Sequence, residues 1–266
     1  MSKALRITAI AAGITLALGL TLWLIGGLLG GFSVQIKDRG QYEDCEESIR
    51  ETVKSIDLQE ISADVEILPA PDGVCRIAYR QTEREPLEIR VENGTLRVSR
   101  KVRKNRINLV WWPHSDAGAG ETRLYLPEAA YEKLCALTVS GDIRLTEGIT
   151  AGAMELTTTS GDITAQALRA DALKLNSVSG KIELTEGIAA DTLSCETVSG
   201  DIALAACDGG EIRLASVSGN ISANLRETKR FSTETVSGSV DVPYGREDAG
   251  VCRAETVSGD IHITVS

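Results

Sequence analysis

The sequence is poor in aromatic residues, histidine and basic residues. Aromatic residues occupy 4% of its 266 positions, and histidine occurs only at His114 and His262. So few imidazoles argue against a histidine-based catalytic centre, and so few rings argue against a conventional wide core. There are 28 Lys and Arg against 38 Asp and Glu, a net charge of −10. Because nucleic-acid binding needs a basic surface, this balance argues against nucleic acid as a partner.

The amino terminus contains a long uncharged segment. No charged residue lies between Arg6 and Lys37, and residues 7–36 are rich in Leu, Ile, Ala and Gly. About 20 apolar residues let a helix cross a hydrocarbon layer of about 30 Å. We therefore predict a transmembrane anchor at 7–36, a cytoplasmic tail at 1–6 and an extracytoplasmic remainder, a single-pass protein of the cell membrane. The alternative is a cleaved signal peptide, which has a shorter apolar region and a small-x-small site that matches poorly here.

A short motif recurs through the carboxyl half of the chain. Val-Ser-Gly-Asp, or a close variant, appears seven times at intervals of 19–21 residues. Positions seven and five before its glycine are mostly apolar, as are positions two and four after it, with mostly polar residues between them. This alternation is typical of short β-strands with one buried face. The glycines of the motif are Gly141, Gly161, Gly180, Gly200, Gly219, Gly238 and Gly259.

The uniformity of the repeats predicts how they stack. Each position of the motif holds one residue type in nearly all copies, which favours identical coils stacked in register about 4.8 Å apart over an antiparallel sandwich. We predict an all-β fold, a parallel β-solenoid of about 19–21 residues per coil over residues 134–266. The glycines are its structural corners, where the backbone bends and a Cβ atom has little room. The Ser or Thr three residues before each glycine is expected to form a ladder of hydroxyls.

The segment before the repeats is less regular. We interpret residues 37–60 as a polar connector and residues 61–133 as irregular β coils or hairpins that close the amino end of the solenoid. The sequence Glu92-Asn93-Gly94-Thr95 lies between two alternating runs and predicts a β-hairpin.

A basic cluster follows this hairpin and is a candidate binding patch. Anionic lipid head groups or surface polymers are the ligands that such a cluster favours. The alternative is a solvated hairpin with aromatic residues in the cap, which the alternation of Arg97 with Leu96 and Val98 favours. The cluster consists of Arg97, Arg100, Lys101, Arg103, Lys104 and Arg106, followed by Trp111 and Trp112.

The repeated serine does not predict catalysis. A nucleophile occurs once and needs a base, whereas seven equivalent serines fit a structural corner. We therefore predict no enzyme activity, no catalytic residue and no cofactor. Calcium is an alternative ligand for the residues that follow the glycines, but Lys181 interrupts their column, so turn capping is favoured and no metal site is predicted. That column is Asp142, Asp162, Lys181, Asp201, Asn220, Ser239 and Asp260.

The six cysteines leave two interpretations open. Cys195 and Cys252 lie at apolar positions of the repeat, which predicts buried thiols. The other four can form disulfides in three pairings, and the sequence does not decide among them. These four are Cys45, Cys75, Cys135 and Cys207.

The last repeat predicts a contact surface. Its final strand, Ile261–Val265, is followed only by Ser266. Terminal coils of solenoids need a cap, and an uncovered coil exposes backbone donors and acceptors. We therefore expect self-association or partner docking through this last coil.

Three features together resemble a bacterial family of unknown function known as "putative adhesin" proteins. They are the Ser-Gly-Asp-Ile repeats, the strand Thr122-Arg123-Leu124-Tyr125-Leu126-Pro127 and the amino-terminal anchor. The resemblance covers about residues 55–266 and implies a β-solenoid at the cell envelope, without catalytic residues. The chain is then expected to act by binding a surface polymer or a protein, as an adhesin or surface-interaction protein. The alternatives are an envelope-stress or regulatory accessory acting through a membrane partner, which the resemblance also suggests, and a structural spacer.

Overall fold

The protein winds into stacked β coils in a computed structural model, which describes residue 19 and residues 42–82, 85–101 and 120–266. In chain order the strands are β1 (Glu43–Ser48), β2 (Ser55–Gln59), β3 (Asp64–Pro69), β4 (Arg76–Gln81), β5 (Leu87–Glu92), β6 (Thr95–Arg100), β7 (Glu121–Leu126), β8 (Ala130–Leu137), β9 (Ile143–Leu145), β10 (Thr150–Thr157), β11 (Ile163–Ala165), β12 (Arg169–Asn176), β13 (Ile182–Leu184), β14 (Ala189–Glu196), β15 (Ile202–Ala215), β16 (Ile221–Leu225), β17 (Arg230–Glu234), β18 (Val240–Asp241), β19 (Val251–Glu255) and β20 (Ile261–Val265).

The strands form two sheets that share one apolar core. The long-strand sheet has the order β5-β6-β2-β8-β10-β12-β14-β15-β19-β17. The short-strand sheet has the order β1-β4-β7-β3-β9-β11-β13-β15-β16-β20-β18. Only the β5–β6, β1–β4 and β4–β7 pairs of these sheets are antiparallel. The predicted all-β fold with a long parallel stack is confirmed.

The repeat sequence explains this stacking. Each typical repeat places an eight-residue strand in one sheet and a three-residue strand in the other, with the Ser-Gly-Asp corner between them. Equivalent residues face one another in register, as Met154 does with Leu134 and Leu173. Parallel pairing in register requires the same apolar position in every coil, because each inward side chain packs on its equivalents. The isoleucines two after the corner glycine are accordingly at most 1% exposed: Ile143, Ile163, Ile182, Ile202, Ile221 and Ile261.

The parallel stack begins before the seven repeats. Residues 37–60, interpreted above as a polar connector, contain both β1 and β2. In β2, Ile56 and Leu58 point into the core between polar neighbours, so a short run of alternation was hidden in a polar segment. The predicted hairpin joins β5 and β6, with φ of 52° at Asn93 and 76° at Gly94, the left-handed values that a tight type I′ turn requires.

The coils are not stacked in chain order at either end. At the amino end, the coil of β2 and β3 lies between the coil of β6 and β7 and that of β8 and β9. At the other end, the coil of β19 and β20 lies between that of β15 and β16 and that of β17 and β18. The expectation that the last coil is uncovered and self-associates is therefore wrong in its premise, because both of its sides are paired.

The predicted anchor at 7–36 and cytoplasmic tail at 1–6 lie outside the described residues, apart from Gly19. Within the described ranges, the structure contains no helix long and apolar enough to cross a membrane.

Candidate functional site: the repeat corner

The corner glycines stack directly on one another. A Cβ atom at Gly161 would lie 1.9 Å from the carbonyl oxygen of Gly141, and one at Gly180 would lie 1.8 Å from that of Gly161. The same approach continues through the stack to Gly259 and then Gly238, in the swapped order of the last two coils. Glycine is therefore required here by the close approach of backbone from the neighbouring coil.

The hydroxyls three residues before the glycines hold the corner in shape. Thr158 Oγ1 accepts a hydrogen bond from the backbone N–H of Gly161 at 3.1 Å and donates to the carbonyl of Gly141 at 3.0 Å. Ser177 does the same with Gly180 and Gly161. A hydroxyl ladder is thus present, but each hydroxyl bonds to glycine backbone in two coils and not to the next hydroxyl.

The aspartates after the glycines cap the next coil. Asp142 Oδ1 accepts the backbone N–H of Asp162 at 2.9 Å, and Asp162 Oδ1 accepts that of Lys181 at 2.7 Å. In the last pair of coils, Asp260 Oδ1 accepts both the N–H and the hydroxyl of Ser239, and these bonds hold the pKa of Asp260 below its usual value. Among the described residues no cluster of His, Cys, Asp and Glu is arranged to hold a metal ion.

The serines between hydroxyl and glycine form an exposed row, here called the serine ridge. Consecutive members lie in neighbouring coils, since Ser160 N–H donates to Val139 and Ser179 N–H donates to Thr159. Their side-chain hydroxyls form no hydrogen bond with other described residues. At about 4.8 Å per coil, the ridge is roughly 34 Å long. In spatial order it consists of Ser62, Ser140, Ser160, Ser179, Ser199, Ser218, Ser258 and Ser237, of which all but the half-buried Ser62 are exposed.

Ser62 belongs to a copy of the motif that the sequence analysis missed. Ser62-Ala63-Asp64-Val65 has alanine in place of glycine, yet Ala63 stacks beneath Gly141 and Asp64 Oδ1 accepts the N–H of Asp142 at 2.8 Å. The spacing of Ser, Asp and an apolar residue was the signal available in the sequence.

The predicted basic patch is divided by the structure. Arg103, Lys104, Arg106, Trp111 and Trp112 lie outside the described residues. The other three members are described, and none of them is a free surface cation. The exposed Arg97 and Lys101 pair with Glu92 at 3.4 Å and with Glu88 at 2.7 Å.

Arg100 is not a surface residue, which corrects its place in the patch. It occupies the hydroxyl position of its coil, beside Glu60 in the next coil. Its Nε and Nη2 donate to the Glu60 carboxylate at 2.6 and 2.8 Å, and Thr122 Oγ1 donates to the same carboxylate at 2.6 Å. Burial disfavours the charged guanidinium, but the bonds and charge of Glu60 outweigh it and raise the pKa of Arg100.

All six cysteines are free thiols in the structure. Burial raises the pKa of Cys75 to about 11 and those of Cys207 and Cys252 to about 12. Cys195 is fully buried, and burial raises its pKa well above the usual value. Buried thiols with raised pKa values are poor nucleophiles, so these four are core residues.

The fold and the corner define a parallel β-solenoid with an uninterrupted polar ridge along one edge. The sequence model of the Toastrack DUF4097 family matches residues 53–266, and the chain belongs to this family. No curated protein matches the sequence.

Solved structures show the same fold. A "putative adhesin" from Bacteroides fragilis is 14% identical, with 84% of this chain and 97% of that chain covered and a TM-score of 0.53. A "putative adhesin" from Parabacteroides distasonis is 16% identical over 85% and 98% of the two chains, with a TM-score of 0.46. A "putative cell adhesion protein" from Clostridium sporogenes is 10% identical over 85% and 100%, with a TM-score of 0.43.

Proposed function

We propose that the protein is a membrane-anchored, extracytoplasmic adhesin or surface-interaction protein that binds an extended polysaccharide along the serine ridge. The observation that carries this proposal is the division of labour at the corner. The Thr or Ser hydroxyl, the glycine and the aspartate of each motif all make contacts that hold neighbouring coils together. The ridge serine makes no such side-chain contact, yet it recurs in every copy of the motif.

The chemistry of the ridge favours a hydroxyl-rich ligand of low charge. A serine hydroxyl both donates and accepts hydrogen bonds, as sugar hydroxyls do. The adjoining column carries Asp64, Asp142, Asp162, Asp201 and Asp260, so anionic polymers and anionic lipid surfaces are repelled. The regular spacing of about 4.8 Å matches a polymer with repeating units better than a single small molecule. The names of the structural neighbours support a role in adhesion.

Binding of the full chain in lipid nanodiscs to a panel of neutral glycans, anionic wall polymers and anionic vesicles tests the proposal. We expect saturable binding to a neutral glycan that persists in chelator. The triple variant Ser160→Ala, Ser179→Ala, Ser199→Ala is expected to weaken it at least tenfold, because it removes three adjacent hydroxyls from the centre of the ridge.

The matched control changes three serines outside the ridge: Ser194→Ala, Ser222→Ala and Ser232→Ala. It should bind as the wild type does. Equal binding by the ridge variant, or no binding of any panel member by the folded chain, would contradict the proposal. Loss of binding in chelator would instead assign calcium to the aspartate column.

A further inference from the structure

The outermost coil at one end of the stack exposes a position that is core elsewhere. This coil, here called the terminal rung, comprises residues 230–244 and contains β17 and β18. Val240 is 44% exposed, whereas its isoleucine equivalents in the other repeats are at most 1% exposed. Val236, at 50%, and Tyr244, fully exposed, lie on the same rung. Three of the five exposed large apolar residues in the described part of the chain are thus on the terminal rung.

The backbone of the terminal rung is paired on one side. β17 pairs with β19 and β18 pairs with β20, and no described strand lies beyond them. The start of β17 is covered by its own loop, since the N–H of Arg246 donates to the carbonyl of Lys229. Pro243 lacks an N–H and follows β18 closely, which limits strand addition. Contact through the exposed apolar side chains is therefore favoured over a long added strand.

The opposite end of the stack is closed by charge. Its edge strand β1 carries four acidic and no basic residues and is exposed along almost its whole length. The other edge strand at that end, β5, carries Glu88, Arg90 and Glu92. Charged side chains on an edge strand oppose pairing with another chain.

We propose that the terminal rung docks on the terminal rung of a second copy, forming a closed two-fold dimer. The rung suits self-contact because residues 226–249 carry four basic and five acidic residues, close to neutral in a chain of net charge −10. Within β17, Arg230 and Glu234 flank the central Ser232, so an antiparallel approach places opposite charges together. A head-to-tail contact would instead bring the acidic β1 against the rung. An isologous contact uses the same patch on both copies and closes after two.

Sedimentation equilibrium of the full chain in density-matched detergent, over a wide concentration range, tests this dimer. Val240→Asp places two like charges at the contact and is expected to raise the dissociation constant at least about tenfold. Val74→Asp is the matched control, because Val74 is 42% exposed on a loop away from the terminal rung. This control should dimerise as the wild type does.

Tyr244→Ser provides a second variant that does not depend on the fold tolerating a charge at Val240. Thermal melts identify any variant that fails to fold. A wild type that stays monomeric, growth beyond a dimer, or a dimer unaffected by both variants would overturn the proposal. The dimer does not depend on glycan binding, so the two proposals fail separately.

Discussion

The central coils and the end coils of the stack are stabilised by different residues. From β8 to β16 every corner uses the same buried hydroxyl and the same stacked glycine. At the amino end, Glu60 and Arg100 take the hydroxyl position and form a buried ion pair. At the other end, Thr235 and Gly238 keep the repeat residues, but they have a neighbouring coil on one side only.

This difference separates what the repeat encodes from what an end requires. The repeat sequence specifies contacts between equivalent coils, and those contacts are complete only where a coil has two neighbours. The amino end adds non-repetitive elements, namely the antiparallel β1, β4 and β5 and the Glu60–Arg100 pair. The terminal rung has the same residue types as the centre and loses burial, which leaves its apolar side chains available for a partner.

The largest effect is expected for alanine at a central corner glycine. The Cβ of Gly180→Ala would lie 1.8 Å from the Gly161 carbonyl, and coils on both sides prevent either from moving. We expect a loss of more than about 4 kcal/mol in the free energy of unfolding, measured in urea. Gly238→Ala faces a similar clash at 2.0 Å but lies in the terminal rung, which can shift outward, so about 1–3 kcal/mol is expected. Equal losses would show that the terminal rung is held as rigidly as the centre.

Breaking the buried ion pair tests the amino end. Glu60→Gln leaves the Arg100 guanidinium buried without a carboxylate, which should cost about 3–5 kcal/mol in denaturant unfolding. Glu88→Gln is the control, because Glu88 is more exposed and its pairs with Arg90 and Lys101 lie at the surface. Its cost should stay within about 1 kcal/mol. Similar costs for both variants would mean that the pair does not stabilise this end.

Removing a corner hydroxyl should have an intermediate effect. Thr158→Val keeps the shape of the side chain but leaves a buried N–H and a carbonyl without their partner, costing about 1–3 kcal/mol. Thr235→Val, in the half-exposed terminal rung, should cost less than about 1 kcal/mol because water replaces the lost bonds. Ser160→Ala on the ridge should change stability by no more than about 0.5 kcal/mol. A loss at Ser160 as large as that at Thr158 would give the ridge a structural role.

The smallest effect concerns the buried thiols. Their folded-state pKa values are raised, so above pH 9 the unfolded chain loses thiol protons that the folded chain keeps, and stability falls as pH rises towards about 12. For Cys207 and Cys252 the slope is at most about 1.4 kcal/mol per pH unit each. Urea unfolding at pH 8 and pH 10 should show this fall, and Cys252→Ala should reduce it. A slope unchanged by Cys252→Ala would indicate that the thiol is accessible next to the terminal rung.

The repeat could be predicted from the sequence because its signal is local. The apolar columns, the corner glycines and the β5–β6 hairpin each depend on residues close together in the chain. The coil of β6 and β7 could not be found this way, since residues 101–119 separate its Arg100 from Gly120, where other copies have two residues. The burial of Arg100 was detectable, because it shares the parity of Leu96 and Val98.

The order of the coils could not be predicted from the repeat. Ile261 and Val240 occupy the same column, and either coil satisfies the apolar pattern next to β16. Periodicity identifies equivalent coils but not which of them are neighbours. The serine ridge was likewise visible as a column, but its lack of structural contacts became apparent only when the partners of each hydroxyl were known.

The swapped position of the last coil has a consequence for biosynthesis. Residues 230–241 leave the ribosome before residues 251–265, at a time when the open edges of β15 and β16 offer them a place to pair. The finished fold requires that this place be taken by β19 and β20, with β17 and β18 one coil further out. A nascent chain that pairs too early must release those strands again, so the native order of the stack can be completed only late in synthesis.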